Sequence, residues 1–392
     1  MNKFKFYFLV LFACISLFSC RKDDIGITVE PPRDYKVQFV ADTILIRDYL
    51  DTHYIDVKDN PGLVDDQDIT ITKLEVGDKE HKSILEQKKY QLLFKEVLLH
   101  DIKYKVYYLV LRSGVGESPS NVDDVLVAYK GTYLRKSTAT ETTDSVLSAT
   151  FFEESRYPQA FLNLYPNASN GGLITGWTEI LPQFKTGTYT INDNGTVSHK
   201  DFGAGVLFIP SGLGYYDRGA GSIPSYSPLV FSFKLYEIKR IDSDNDGIFN
   251  YQEDLNSDGY LYDYRNKFNY PTTPVDEKVR YAHDTDRDGI PDFLDIDDDG
   301  DGTSTRLEIT KPAGINSGLS LYFPFDPIVD NPFTTVNETE TKGIPRKFTG
   351  PLSNPNLPES ITNLPTPQES DYTDPLRVRR HLDAKCKPPY QN

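Results

Sequence analysis

The 392-residue chain carries 58 Asp and Glu against 42 Lys and Arg, a net charge of −16, with 26 each of Gly, Pro and Tyr and 3 Cys. This length is enough for two or three domains, and the turn-forming and aromatic content argues against an all-helical protein. Asp242 to Glu308 alone hold 19 acidic against 6 basic residues, which argues for cations and against nucleic acid as that segment's partner, because phosphates would be repelled.

The N-terminus reads Lys3 and Lys5, an apolar run from Phe6 to Phe18, then "LFSC". This is the pattern of a secretory signal over 1–19 ending in a lipobox, and the run is shorter than the about 20 apolar residues of a spanning helix. Cleavage before Cys20 would make that thiol the lipidation site and anchor the chain to a membrane without crossing it; an uncleaved anchor helix is the competing reading. Residues 20–34 form a lipidated tether. Its "RKDD", 21–24, resembles the export tag of surface lipoproteins in the Bacteroidetes, which implies the outer face of the outer membrane. An ordinary charged tether, with the protein facing the periplasm, is the alternative. Without Cys14, and with Cys20 lipidated, Cys386 is the one thiol left and no intrachain disulfide can form.

From 35 to 114 the pattern predicts a small lead-in region of α+β character that helps build the next domain, with a helix in "VQFVADTILIRDYLDTHY" and strands in "LEQKKYQLLFKEVLLH" and "YKVYYLVLRSG". Residues 115–240 read as short alternating strands, "VLVAYKGTYL", "KTGTYTIN", "GVLFIPS" and "LVFSFKLYEIKR", broken by Gly and Pro turns and interrupted by one short helix at 177–184. That order predicts an α+β fold with an antiparallel sheet curled over the helix. Past Glu308 the tail, 310–392, is rich in Pro and poor in core formers. It reads as extended or disordered, with "LRVRRHLD" as either a docking helix or a solvated charge run.

"GLITGW", 172–177, holds the only Trp of the chain, and a side chain that large is either a core plug or the wall of a pocket. "VAYKGTY", "FFEES", "LITGW", "IPSGLGYY" and "IPSYSPLVFSFKL" follow one another in the order found in FKBP-type peptidyl-prolyl isomerases, and over about 110 residues the chain resembles that family. The resemblance implies a proline pocket with Trp177 as its floor, and Tyr129, Phe152, Leu173, Ile174, Tyr215, Ile223 and Phe231 as its walls. It also implies that the Tyr215 hydroxyl and the Ile223 main-chain N–H hold the substrate backbone. Glu153 stands where the family has an Asp, Tyr216 where it has a Gly, and "KSTATETTDSVLSAT" is a polar insertion between Tyr129 and Phe152, read as flexible.

A pocket of this kind needs no nucleophile, proton shuttle or cofactor. The barrier to turning an Xaa-Pro bond is amide resonance, ~18–20 kcal/mol. A dry aromatic cavity favours the twisted amide, and lowering the barrier by ~4–6 kcal/mol gives roughly 10³–10⁴-fold acceleration.

The acidic segment, 241–309, repeats one spacing. "DSDNDGIFNYQE" offers Asp242, Asp244, Asp246, Asn250 and Glu253 at positions 1, 3, 5, 9 and 12 with Gly at 6. "DLNSDGY" offers Asp254, Asn256 and Asp258. "DTDRDGIPDFLD" offers Asp284, Asp286, Asp288, Asp292 and Asp295, and "DDDGDGTSTRLE" offers Asp297, Asp299, Asp301 and Glu308. Oxygen donors at alternate positions around a glycine turn suit Ca²⁺. The first loop follows a strand, the loops abut without room for helices, and Pro291 lies inside one, so these are not EF-hands. They are closer to the Asp-rich repeats of thrombospondin type 3 and related bacterial surface proteins. An acidic linker that binds ions loosely is the plainer reading.

The chain is thus expected to be an FKBP-like isomerase lipoprotein that acts on Xaa-Pro segments of exported proteins, with structural Ca²⁺ in a stalk. The alternative is a catalytically weak, proline-binding surface module stiffened by Ca²⁺. Oligomeric state and clients are left open. No dinucleotide loop, zinc-spaced His pair or Walker loop competes.

Overall fold

The structure, a computed structural model, describes residues 31–137, 139, 145–165, 173–311, 320–329, 339–360 and 362–386. The expected signal segment 1–19 and Cys20 lie outside them. Among the described residues no helix is long and apolar enough to cross a membrane.

Asp34 starts the first helix by accepting the Val37 N–H on its side chain at 3.0 Å, an N-cap for α1, Tyr35–Thr52. A small hairpin follows, β1 His53–Val57 with β2 Ile69–Lys73. The main sheet is wholly antiparallel and comprises β3 Gln91–Leu99, β4 Ile102–Arg112, β5 Asp124–Lys136, β6 Leu147–Ser155, β7 Leu162–Asn163, β10 Gly203–Ile209 and β11 Leu229–Lys239. Its order is β3-β4-β10-β11-β5-β6, with β7 on β5. Register shifts at Ala204/Gly205, Leu235/Glu237 and Gly131/Thr132 interrupt the ladders, and such bulges bend strands. "KTGTYTIN" leaves this sheet: β8 Thr188–Ile191 pairs with β9 Val197–Lys200 as a separate hairpin.

Every residue of β10 is buried, because both faces of the sheet are covered. Leu207 and Ile209 face one core with Trp177, Ile180 and Phe184, the side of the short helix α2, Thr175–Ile180. Val206 and Phe208 face a second core with Ile46, Tyr49 and Leu50 of α1. The lead-in region helps build the main sheet: β3 and β4 belong to it and α1 is its second layer, so the boundary drawn at 114/115, in the connection between β4 and β5, divides one sheet. The period-2 alternation of β10 places apolar side chains on both faces, so a single helix layer would leave one face wet.

In its described part the insertion read as flexible is a longer hairpin. Lys136 pairs with Leu147, and Leu134 and Leu147 pack in the α1 core. The tail also differs from expectation. Phe323, Ile344, Phe348 and Tyr372 close with Ile248 and Ile309 into a core of their own. "LRVRRHLD" is neither a docking helix nor a solvated run: it turns once at Arg380–Leu382 and buries Arg380 and His381. Few core formers suffice here because they come together from distant stretches of the chain.

Candidate functional site

Trp177 sits in the first turn of α2 and is 3% exposed. Gly176 before it allows this, since a Cβ there would lie 2.4 Å from Ile209 Cγ2 and hold the helix off β10. Phe231 of β11 is the hub of the rings: its centroid is 5.1 Å from Trp177, 5.5 Å from Phe152 and 6.1 Å from Tyr129, all edge-on. Tyr129 meets Trp177 at 5.6 Å. Gly131 of β5 makes room for the Phe152 and Phe231 rings, which a Cβ would meet at 2.4 and 2.8 Å. Leu173, Ile174 and Tyr215 pack half-buried against this core, and Ile223 is buried in it.

Polar groups converge at the edge of the box. Tyr129 donates its hydroxyl to Glu153 Oε1 at 2.8 Å. Burial first, then this bond and the Glu153 charge, push the Tyr129 hydroxyl pKa up. Burial and the same carboxylate push Tyr215 up, so both phenols remain protonated donors. The longer Glu153 thus takes up the Tyr129 hydroxyl from the β6 position opposite Gly131.

α1 holds the loop that carries Tyr215. Asp42 accepts the Ser211 N–H at 2.8 Å and its hydroxyl at 2.7 Å. Tyr216, in place of the usual Gly, has φ 46°, a region costly for a bulky residue, and stacks on Tyr35 of α1 at 4.0 Å. One expectation is corrected: the Ile223 N–H donates to the Ala220 carbonyl at 2.8 Å within a tight turn, so it is already committed and does not serve as a substrate donor in this conformation.

The acidic loops repeat one hydrogen-bond scheme four times. Position 1 accepts the Gly N–H at position 6: Asp242 from Gly247, Asp254 from Gly259, Asp284 from Gly289, Asp297 from Gly302. Position 3 accepts from position 5, and position 5 from position 7, throughout. The glycines adopt φ between 84° and 105°, which the turn requires. Each Asp of the scheme thereby spends one oxygen on the backbone, and Asp284 spends both, the second on the Arg287 N–H. Asp242 Oδ1, Asp244 Oδ2 and Asp246 Oδ2 are buried without a partner, and one oxygen of each of these residues lies within 4.8 Å of the others, as do oxygens of Asp284, Asp286 and Asp288 and of Asp297, Asp299 and Asp301. Asn256 accepts the Asp258 N–H.

Position 9 does something else. Asn250 accepts the Ser243 N–H at 2.9 Å and donates to its hydroxyl; Asp292 accepts the Thr285 N–H and hydroxyl. These side chains clamp the loop shut and are not turned to an ion. At position 12 both oxygens of Glu253 and Glu308 are buried and unpartnered, whereas Asp295 accepts the Asp297 N–H. Burial and neighbouring carboxylates push Asp244 up to about 8, Asp246 and Asp299 to about 7 and Glu308 to about 9. Buried carboxylates facing one another fit a hard cation, which would supply the missing partner.

Two residues escape a reading by spacing. Asp298, at position 2, joins Asp246 and Glu253, and His283 joins Asp254 and Asp258; both groupings cross between loops. The segment is also not a free stalk. The Tyr260 hydroxyl donates to Glu179 O of α2 at 2.7 Å, and Asn121 exchanges two hydrogen bonds with Leu261. A cleft of ≈ 730 Å³ lies where these loops meet the tail, away from Trp177. Its arginines are engaged: Arg240 with Asp123, Arg377 with Asp371, Arg379 with Asp326.

Comparison with known proteins gives matches over two parts of the chain. The FKBP-type peptidyl-prolyl cis-trans isomerase FkpA of Escherichia coli K12 is 29% identical over 133 residues, 34% of this chain and 37% of that protein, and the same protein of E. coli O157:H7 matches equally. The chain thus spans little more than a third of the curated relatives it matches, and it is similar to FKBP-type isomerases at low identity. The family model described as BamM C-terminal matches residues 243–336, the acidic loops and the start of the tail. Among solved structures, a peptidyl-prolyl cis-trans isomerase of Pseudomonas syringae pv. tomato is 19% identical, covering 54% of this chain and 99% of its own, with TM-score 0.28. FkpA of E. coli is 26% identical, covering 39% and 53%, with TM-score 0.25.

Proposed function

We propose that the chain is a peptidyl-prolyl cis-trans isomerase of the cell envelope, lipid-anchored through Cys20, that assists the folding of exported proteins and whose acidic loops are ordered by Ca²⁺. The observation that carries the reading is the convergence of Tyr129, Phe152, Trp177 and Phe231 into one edge-on box, with the phenols of Tyr129 and Tyr215 near Glu153. A prolyl ring held in such a box is shielded from water, and the amide passes more readily through the twisted state, in which nitrogen and carbonyl are decoupled. Leu173 and Ile174 border the substrate, and a phenol can donate to the substrate carbonyl. In the loops, Ca²⁺ would supply charge neutralisation to Asp242, Asp244, Asp246, Glu253, Asp254, Asn256, Asp258, Asp284, Asp286, Asp288, Asp295, Asp297, Asp299, Asp301 and Glu308, the set that remains once the clamps Asn250 and Asp292 are set aside. The lipid anchor rests on the N-terminal sequence.

A second reading, a module that grips Pro-containing segments without turning them quickly, is favoured by one observation: the Ile223 N–H is committed to Ala220. The test is the cis-to-trans rate of an Ala-Leu-Pro-Phe peptide with the full chain in calcium. A rate well above background that falls in Tyr215→Phe supports the isomerase. A background rate from folded protein that still binds the peptide supports the second reading.

A further inference from the structure

Loop four contains an acid that the repeat does not require. In loops one and three the second position is a hydroxyl residue, Ser243 or Thr285, tied to the clamp at position 9. In loop four the clamp is Thr305, whose Oγ1 accepts the Asp298 N–H at 3.2 Å. The Asp298 carboxylate lies with Asp246 and Glu253 of loop one, one oxygen of each within 4.8 Å of the others.

Asp298 is 1% exposed, Asp246 2% and Glu253 3%. Both oxygens of Asp298, both of Glu253 and Oδ2 of Asp246 are buried without a hydrogen-bond partner. The neighbouring Arg306 directs its donors elsewhere, to Asn245 O at 2.9 Å and the Tyr322 hydroxyl at 3.3 Å. Three carboxylates this close and this dry cannot all be ionised without a positive partner. The donors are all oxygen, with no imidazole or thiolate, which suits a hard cation. The ligands come from separate loops, which fits adaptable Ca²⁺ better than strictly octahedral Mg²⁺.

We propose that a Ca²⁺ ion bridges loop one to loop four through Asp246, Glu253 and Asp298. The proposal rests on the reading that the acidic loops take calcium, and it adds a ligand outside the repeat spacing. The ion staples the segment: loop one follows β11, loop four leads into the tail, and the two are already joined by the Arg306 hydrogen bond to Asn245 O.

The test is calcium titration calorimetry and thermal melting of the full chain, decalcified, as wild type, Asp298→Asn and Asp284→Asn. Asp298→Asn is expected to weaken one binding step at least about tenfold, because affinity follows ligand charge. It is also expected to shift melting in opposite directions, upward in chelator, where repulsion is relieved, and downward in calcium, where a ligand is lost. If its isotherm superimposes on wild type and it melts higher under both conditions, the bridge is overturned and Asp298 is only a strained buried acid. Should Asp298→Asn fail to fold, Glu253→Gln carries the same expectations. Loss of a step in Asp284→Asn but in neither of these variants removes the bridge and leaves the loops as calcium sites. No calcium heat from wild type overturns both.

Discussion

Around Trp177 the chain satisfies itself: rings meet edge to face, and the Tyr129 hydroxyl finds Glu153 at 2.8 Å. Between Asp242 and Glu308 it does not. Its loops give carboxylate oxygens to their own backbone, and loops one, two and four leave others buried without a partner. Both regions bury side chains, yet burial stabilises the first and costs the second, because apolar surface gains on leaving water whereas a charge loses unless something opposes it. The difference teaches that one region is complete as a polypeptide, whereas the other leaves buried carboxylates unopposed, which is the ground on which calcium is proposed.

The largest expected effect breaks the two apart. Chelating calcium should expand residues 242–308 and the tail core that rests on Ile248 and Ile309, while the sheet ending at Lys239 stays folded. Limited proteolysis with and without chelator reads this as new cuts confined to the C-terminal half; uniform protection would show that the carboxylates need no ion. Next is Trp177→Ala, which empties the box and should cost ~3–5 kcal/mol of sheet-domain stability in urea melts, with isomerase activity lost and calcium affinity little changed.

A smaller effect separates the halves by pH. His381 is held down to about 3 by burial and then by Arg379 and Arg380, against 6.5 when free. Between those values the unfolded chain binds the extra proton, so stability present above pH 6.5 drains as pH falls towards 3, by up to ~1.4 kcal/mol per unit. Calcium-saturated melts at pH 7 and 5.5 should show a drop that His381→Leu lessens; parallel wild-type and variant profiles would contradict it. Smallest is Tyr129→Phe, which removes a half-exposed hydrogen bond worth ~0.5–1.5 kcal/mol. Melting should barely move while the peptide turnover rate changes, and an unchanged rate would take Tyr129 out of the site's chemistry.

Much of both regions was legible before any fold. "LVFSFKLYEIKR" became β11 and "VAYKGTY" became β5, because strand alternation and glycine turns are local signals. The loops were legible for the same reason, since D-x-D-x-D-G fixes its hydrogen bonds within seven residues. What was not legible depended on distant partners. α1 covers the second face of β10, the Ile223 N–H turns back to Ala220, and a Pro-rich tail finds a core by pairing Phe323 and Tyr372 with Ile248.

By itself, then, the sequence determined the loop geometry, the strands and the aromatic set, each through contacts of a few residues whose cost in chain entropy is small. Only the tertiary structure decided that Asp298 meets Glu253, that Tyr260 docks on α2, and that Arg380 and His381 are buried rather than solvated. Those outcomes depend on which distant surfaces close on one another, and no periodicity along the chain records that choice.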